Sequence, residues 1–282
     1  MLKDRVKSAV LMALVFLVAL FILPKIGFLM FVSFATAAAA WEWSALAGLK
    51  RRHQRMTYVC VLFVLISACA GMLGFGSDLE AIDHDRIQYF VLIDLVWWIV
   101  ALFLVRGYPD NAKTWGSQAG IMVIGGLVLI PTWIGLTFLR SEHNGSWLIL
   151  FLVTVVASAD IGAYFSGRKF GKRRLAPSVS PGKSWEGVFG GLSLAVLLAV
   201  VVGYFWMPDN RLSLILLVAA TALGSVLGDL LESMIKRHRG VKDSGYLFPG
   251  HGGILDRVDG ITAAAPVFSL GLLLLGLQFP AN

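Results

Sequence analysis

Nine runs of about twenty mostly apolar residues, at 8–23, 27–48, 57–76, 88–105, 117–138, 146–165, 187–206, 212–232 and 260–279, fill most of this 282-residue chain. A helix needs about 20 such residues to cross ~30 Å of hydrocarbon. Composition agrees: hydrophobic residues are 57% and charged ones 15%, where a soluble domain runs near 45–50% and ~25%. The mean hydropathy is +0.78. The reading is an all-α polytopic membrane protein with about nine transmembrane helices. Lys3, Arg5 and Lys7 precede the first run as they would in a signal peptide, but the apolar region continues far beyond a 7–15-residue core. Pro24 and Lys25 between the first two runs suit a tight hairpin. Two cysteines, Cys60 and Cys69, share one apolar run; they exclude a disulfide scaffold or a cysteine-built zinc site and read as packing.

Lys and Arg set the orientation. With the N-terminus cytoplasmic, twenty of the 24 basic residues fall on the cytoplasmic face, and only Lys25, Arg86, Arg140 and Arg211 fall on the other. The C-terminus is then periplasmic or otherwise outside. The net charge of +7 lies at the inner face, where basic residues attract anionic headgroups. A bacterial inner membrane is the simplest location. Nucleic acid is not an expected partner, since no soluble domain presents a groove-reading element. Asp78, Glu80, Asp83 and Asp85 form an acidic outer turn that reads as solvated.

The organisation changes near residue 150. Residues 1–150 carry short connections and read as membrane anchoring with possible dimer contacts. Residues 151–282 carry two cytoplasmic segments, 166–186 and 233–259, rich in Gly, Pro and charge. Loops carry function where spans carry stability, so the chemistry is expected in this half. Charges inside spans cost ~2.5–3.5 kcal/mol at a helix centre and need a reason. Glu42, between Trp41 and Trp43, reads as a solvated carboxylate at interface depth. Asp94 reads as paired inside the bundle. Asp160 and Asp229 stand near the cytoplasmic ends of their runs and are site candidates.

Asp229, Glu232, Ser233, Lys236 and Arg237 fall on one helical face. A salt-bridge ladder accounts for Glu232 with Lys236 but leaves Asp229 unexplained. Gly224 and Gly228 form a small-residue pair that lets a second helix approach beside that carboxylate. Between Lys236 and Asp259, cations, carboxylates and glycines alternate. Glycines bring backbone N–H groups close to a ligand, Lys and Arg hold phosphates, and Asp suits Mg²⁺. The combination suggests phosphoryl or nucleotidyl transfer onto a membrane lipid. His251 reads equally as a structural bridge or a phosphate donor. Gly182-Lys183-Ser184 imitates the end of a P-loop. Pro177 stands where that motif requires Gly, and no strand is expected before it. The segment reads instead as a basic, Ser-bearing phosphate loop, with a helix-capped charge cluster as the plain alternative.

The run Ser233-x-Ile235-Lys236-Arg237-x4-Lys242-Asp243-x-Gly245-x2-Phe248-Pro249-x-His251-Gly252-Gly253-Ile254-x-Asp256-Arg257-Val258-Asp259 closely resembles the signature of the phosphatidate cytidylyltransferases, the CDP-diacylglycerol synthases. No departure occurs across it. The resemblance reaches back through Ser180-Pro181-Gly182-Lys183 to Asp160-x-Gly162-Ala163-Tyr164, about residues 158–260. It implies a homodimeric, Mg²⁺-dependent enzyme, with a potassium ion beside the magnesium, that joins CTP to phosphatidic acid. Asp229 and Asp256 are the metal ligands that it implies, and Asp243 and Lys242 join them as catalytic candidates. Lys236, Arg237, Ser233, His251 and Arg257 would bind substrate, with Asp160, Lys183 and Ser184 on the opposite wall. Ile161 stands where relatives often carry Ser or Thr, so no hydroxyl role is implied there, and Glu186 stands where others carry Gln, so its charge is not implied to be obligatory. A transporter would place its carboxylates nearer midplane and in repeated halves. A CTP-using lipid kinase would yield phospholipid and CDP.

Overall fold

The structure is a computed structural model; it describes residues 2–75, 82–245 and 252–277, with side chains from residue 9 onward. The helices are α1 (Leu2–Phe21), α2 (Lys25–Leu46), α3 (Arg52–Met72), α4 (His84–Gly107), the short α5 (Ala112–Trp115), α6 (Gln118–Ser141), α7 (Gly145–Phe170), α8 (Trp185–Trp206), α9 (Arg211–His238) and α10 (Leu255–Leu275). Between α7 and α8 lie two antiparallel strands, β1 (Arg174–Ala176) and β2 (Ser180–Ser184). Among the described residues, eight helices are long and apolar enough to cross a membrane, and Ala9–Phe21 makes a shorter apolar helix. This is the expected all-α polytopic membrane protein. Large apolar side chains such as Phe34, Ile93 and Leu212 stand exposed on the helix surfaces, which suits lipid and not water.

Local sequence explains the helix starts. Asp83, Ser117 and Ser184 each accept a hydrogen bond from a backbone N–H three residues on, so each caps the helix that follows. At the other end of α9, Gly240 adopts φ +71°, and the Gly240 and Val241 amides donate to Arg237 and Lys236 carbonyls. That glycine turn closes the helix without strain.

Helix α10 lies at the centre, packed against α9, α6, α4 and α7. Pro266 inside α10 cannot donate to the carbonyl of Thr262 one turn earlier. The Thr132 hydroxyl of α6 stands 3.0 Å from that carbonyl and 2.6 Å from Val128 O. A side chain on the neighbouring helix thus serves the group that the proline orphaned, as proline inside lipid requires. Nearby, a Cβ on Gly135 would stand 3.2 Å from the Ala265 backbone, so α6 and α10 cross in close contact. Thr132→Val keeps the shape and removes the hydroxyl. We expect about 1 kcal/mol of lost stability in detergent unfolding, and Thr132→Ser should recover it.

The expected small-residue contact on α9 is made by α10. A Cβ on Gly228 would run into the Asp259 carbonyl oxygen and come within 3.1 Å of Thr262 Oγ1, whereas at Gly224 the nearest atom is 3.4 Å away. Gly228→Ala should therefore cost about 1–3 kcal/mol and push Asp259 outward. Gly224→Ala should be nearly neutral in the same thermal unfolding measurement.

A carboxylate and lysine centre at one end of the bundle

The C-terminal parts of α7 and α9, the N-terminal parts of α8 and α10, and the β1–β2 hairpin meet at one end of the bundle. α7 and α8 approach backbone to backbone: a Cβ on Gly162 would stand 2.9 Å from Gly191 Cα. The hairpin is held in place at three points. Glu186 accepts the Lys172 and Arg173 amides at 3.1 and 3.2 Å, the Trp185 amide donates to Arg173 O at 2.9 Å, and Arg237 Nε donates to the Val179 carbonyl at 3.2 Å. A glutamine at 186 could offer one oxygen for the same task.

That anchoring carries Lys183 across to α9, where its Nζ pairs with Asp229 Oδ2 at 2.5 Å. The Ser233 hydroxyl donates to the other oxygen, Oδ1, at 3.1 Å. One turn further along α9, Lys236 is buried between two carboxylates, 3.0 Å from Glu232 Oε1 and 2.6 Å from Asp256 Oδ1. Asp256 Oδ2 accepts the Ser244 amide at 2.9 Å and the Gly253 amide at 2.8 Å, with the Ser244 hydroxyl at 2.9 Å. Asp160 interacts electrostatically with Lys183 and Asp229, and Asp259 with Asp229, Lys236 and Lys183. Five carboxylates (Asp160, Asp229, Glu232, Asp256, Asp259) thus share one network with two lysines. The excess is anionic, and the centre can accept cationic charge.

Most residues singled out in the sequence gather here, with distinct environments. Asp229 keeps 29% of its side chain exposed and Asp256 only 7%. Lys242, Asp243 and Arg257 are exposed, and the side chains of Lys242 and Arg257 make no hydrogen bond or ion pair with the described residues. Arg237 is exposed and tied to backbone carbonyls. Ser184 is buried, and its hydroxyl accepts the Gly187 amide at 3.1 Å as the cap of α8. His251, with Phe248 and Pro249, lies outside the described residues, as do Asp78 and Glu80.

Of the two acidic residues inside N-terminal spans, Asp94 sits as expected and Glu42 does not. Asp94 is buried and accepts Trp98 Nε1 at 3.0 Å, a pairing inside the bundle. Glu42, expected to be solvated, is only 7% exposed. It accepts the Ile254 and Leu255 amides, each at 3.0 Å, and the Ser244 hydroxyl stands 2.9 Å from its Oε2. The expectation fails because a carboxylate at that depth found donors on the first turn of α10 in place of water. Asp259, which the sequence placed in the signature without a role, also faces the centre.

Comparison with known proteins places the whole chain. The cytidylyltransferase family profile matches residues 3–275. The phosphatidate cytidylyltransferase of Haemophilus influenzae is 42% identical over 281 residues, covering 95% of this chain and 98% of that one. That of Pseudomonas aeruginosa is 40% identical over 282 residues, covering 99% and 100%. A phosphatidate cytidylyltransferase of Staphylococcus epidermidis is 35% identical over 198 residues, covering 68% and 74%.

Proposed function

The chain belongs to the cytidylyltransferase family, and on that premise we propose that the centre between α7 and α10 is where it transfers the cytidylyl group of CTP to phosphatidic acid. The products are CDP-diacylglycerol and diphosphate. The observation that carries the location is the carboxylate–lysine network itself: Lys183 on Asp229 and Lys236 on Asp256, in a network gathered from three helices (α7, α9 and α10) and a hairpin at one end of the bundle.

The acceptor is a phosphate monoester, already ionised at neutral pH. One of its oxygens attacks the α-phosphorus of CTP, and the bond to the bridging oxygen of the leaving diphosphate breaks. Both reactants are polyanions, so the protein's work is alignment and charge neutralisation. Neither a covalent intermediate nor a general base is required. Lys183, 27% exposed in its pair with Asp229, can exchange that partner for a substrate phosphate. The exposed cations Lys242, Arg237 and Arg257 supply phosphate-binding charge at the rim, and the exposed Asp243 would serve as a further metal ligand or orient Lys242 once substrate is bound. Asp160 lines the wall opposite α9, and Ser233 fixes Asp229. Lys236 acts by holding Asp256, and Ser184 by fixing the start of α8.

The donor set fits Mg²⁺. That ion takes one or two carboxylates, keeps waters and leaves the remaining positions to substrate phosphates; among the described residues no cage of three or more metal-ligating side chains is preformed. Asp229, the more exposed carboxylate, and Asp256 would hold it. When bound, it would supply charge stabilisation for the CTP phosphates and the departing diphosphate. The excess of Lys and Arg at this end supports placing it on the cytoplasmic side of an inner membrane. A homodimer rests on the family resemblance alone. The test is product analysis with purified protein, phosphatidic acid and CTP: nucleotide-lipid with diphosphate supports the reading. Phospholipid with CDP would make the chain a lipid kinase.

A further inference from the structure

We infer that Glu42, in the N-terminal half of the chain, is a positioning residue for Asp256 and so for the catalytic centre; the inference rests on the catalytic reading of Asp256 given above. Helix α10 begins at Leu255, and its first amides have no partner within the helix. Ile254, which precedes it, has a helical backbone and no side-chain cap. The carboxylate of Glu42, more than two hundred positions earlier, fills the vacancy: Oε1 accepts Ile254 N–H and Oε2 accepts Leu255 N–H, each at 3.0 Å. A negative group at a helix N-terminus is favoured by the helix dipole as well as by the hydrogen bonds.

Glu42 also holds the chain on the other side of residues 246–251. The Ser244 hydroxyl stands 2.9 Å from Glu42 Oε2 and 2.9 Å from Asp256 Oδ2; its single hydrogen serves one carboxylate at a time and ties both to one point. Gly245 and Gly253 lie directly against the Glu42 side chain, where a Cβ on Gly245 would stand 2.5 Å from Oε1. The Gly253 amide in turn donates to Asp256 at 2.8 Å. One carboxylate from α2 therefore holds the chain on both sides of residues 246–251, and through Ser244 and Gly253 it fixes the carboxylate of Asp256. Burial of an anion in a membrane span costs free energy, and these donors offset that cost. Glu42 touches no reacting atom in this account. It acts through Ser244 and the first turn of α10.

The test compares the purified full chain with Glu42→Ala, Glu42→Gln, Ser244→Ala, Glu42→Ala/Ser244→Ala and Asp256→Asn. Hydrogen exchange of the peptide spanning 252–256 is followed without added metal or nucleotide. Glu42→Ala should speed exchange of the Ile254 and Leu255 amides about tenfold or more while the α6 peptides stay protected. Its kcat should fall by about 100-fold, with KM for CTP within about threefold of wild type. Glu42→Gln keeps the length and one acceptor oxygen and should be intermediate in both readouts. The Glu42 and Ser244 effects should be clearly less than multiplicative in the double variant, because they share one path. A folded Glu42→Ala protein with wild-type kcat, beside an inactive Asp256→Asn, overturns the positioning role alone; so does unchanged exchange at 252–256. Full activity of Asp256→Asn overturns both, and the fault then lies in the reading of Asp256.

Discussion

Asp229→Asn is expected to lower kcat by about 10²–10³-fold, the range typical for loss of one preorganised electrostatic group, with little effect on folding. The asparagine oxygen can still accept from Ser233, so α9 keeps its local hydrogen bond, 3.1 Å in the parent. The charge that balances Lys183 at 2.5 Å is lost. Lys183 would then associate permanently with substrate phosphate or solvent. The centre would hold one fewer carboxylate for a divalent cation. Steady-state kinetics across a magnesium titration should therefore show a lower plateau reached at higher magnesium. A plateau and half-point equal to wild type would remove Asp229 from the metal role and leave it a partner for Lys183 only.

Lys236→Met is expected to act on stability first. Lys236 is 9% exposed, and the carboxylates that hold it, Glu232 and Asp256, are 3% and 7% exposed. Removing the one cation between them leaves two buried negative groups facing each other, which costs about 3–5 kcal/mol for a broken buried pair. Glu232 is already exacting, because its Oε2 is buried with no hydrogen-bond partner among the described residues. Combining Lys236→Met with Glu232→Gln removes one of the stranded charges and should recover a substantial part of the loss in thermal unfolding. Activity should not return with it, since Asp256 would have lost the 2.6 Å contact that fixes Oδ1. Recovery of both together would mean that Lys236 serves folding alone.

Much of the architecture is legible from residue order. The nine apolar runs fall on α1–α4 and α6–α10, because apolar length is what the bilayer demands. The ends are less legible. Helices α7 and α9 run on to Phe170 and His238, several residues past their apolar runs, since a helix continues into polar surroundings once its first turns are anchored. The hairpin at 174–184 was hidden: it is short, and its register is fixed by Glu186, Arg237 and Trp185, not by an alternating pattern of its own. Glu232 with Lys236 could be read from i, i+4 spacing alone. Lys183 with Asp229 needed the hairpin. Glu42 could not be read at all, because nothing near it in sequence names the amides of Ile254 and Leu255. The cost of a carboxylate inside an apolar run was the one visible signal that it must have a partner.

The most direct test of the central claim, that cytidylyl transfer occurs at the Asp229–Lys183 and Asp256–Lys236 centre, follows CTP labelled at the α-phosphorus. Purified protein in detergent is supplied with phosphatidic acid and Mg²⁺, beside Asp229→Asn and Asp256→Asn variants verified as folded by thermal unfolding. The account predicts label in a CDP-lipid, diphosphate released in equal amount, loss of both on chelation, and a deep fall in both variants. Folded variants that form CDP-lipid at the wild-type rate would contradict it, and would move the chemistry away from this end of α9 and α10.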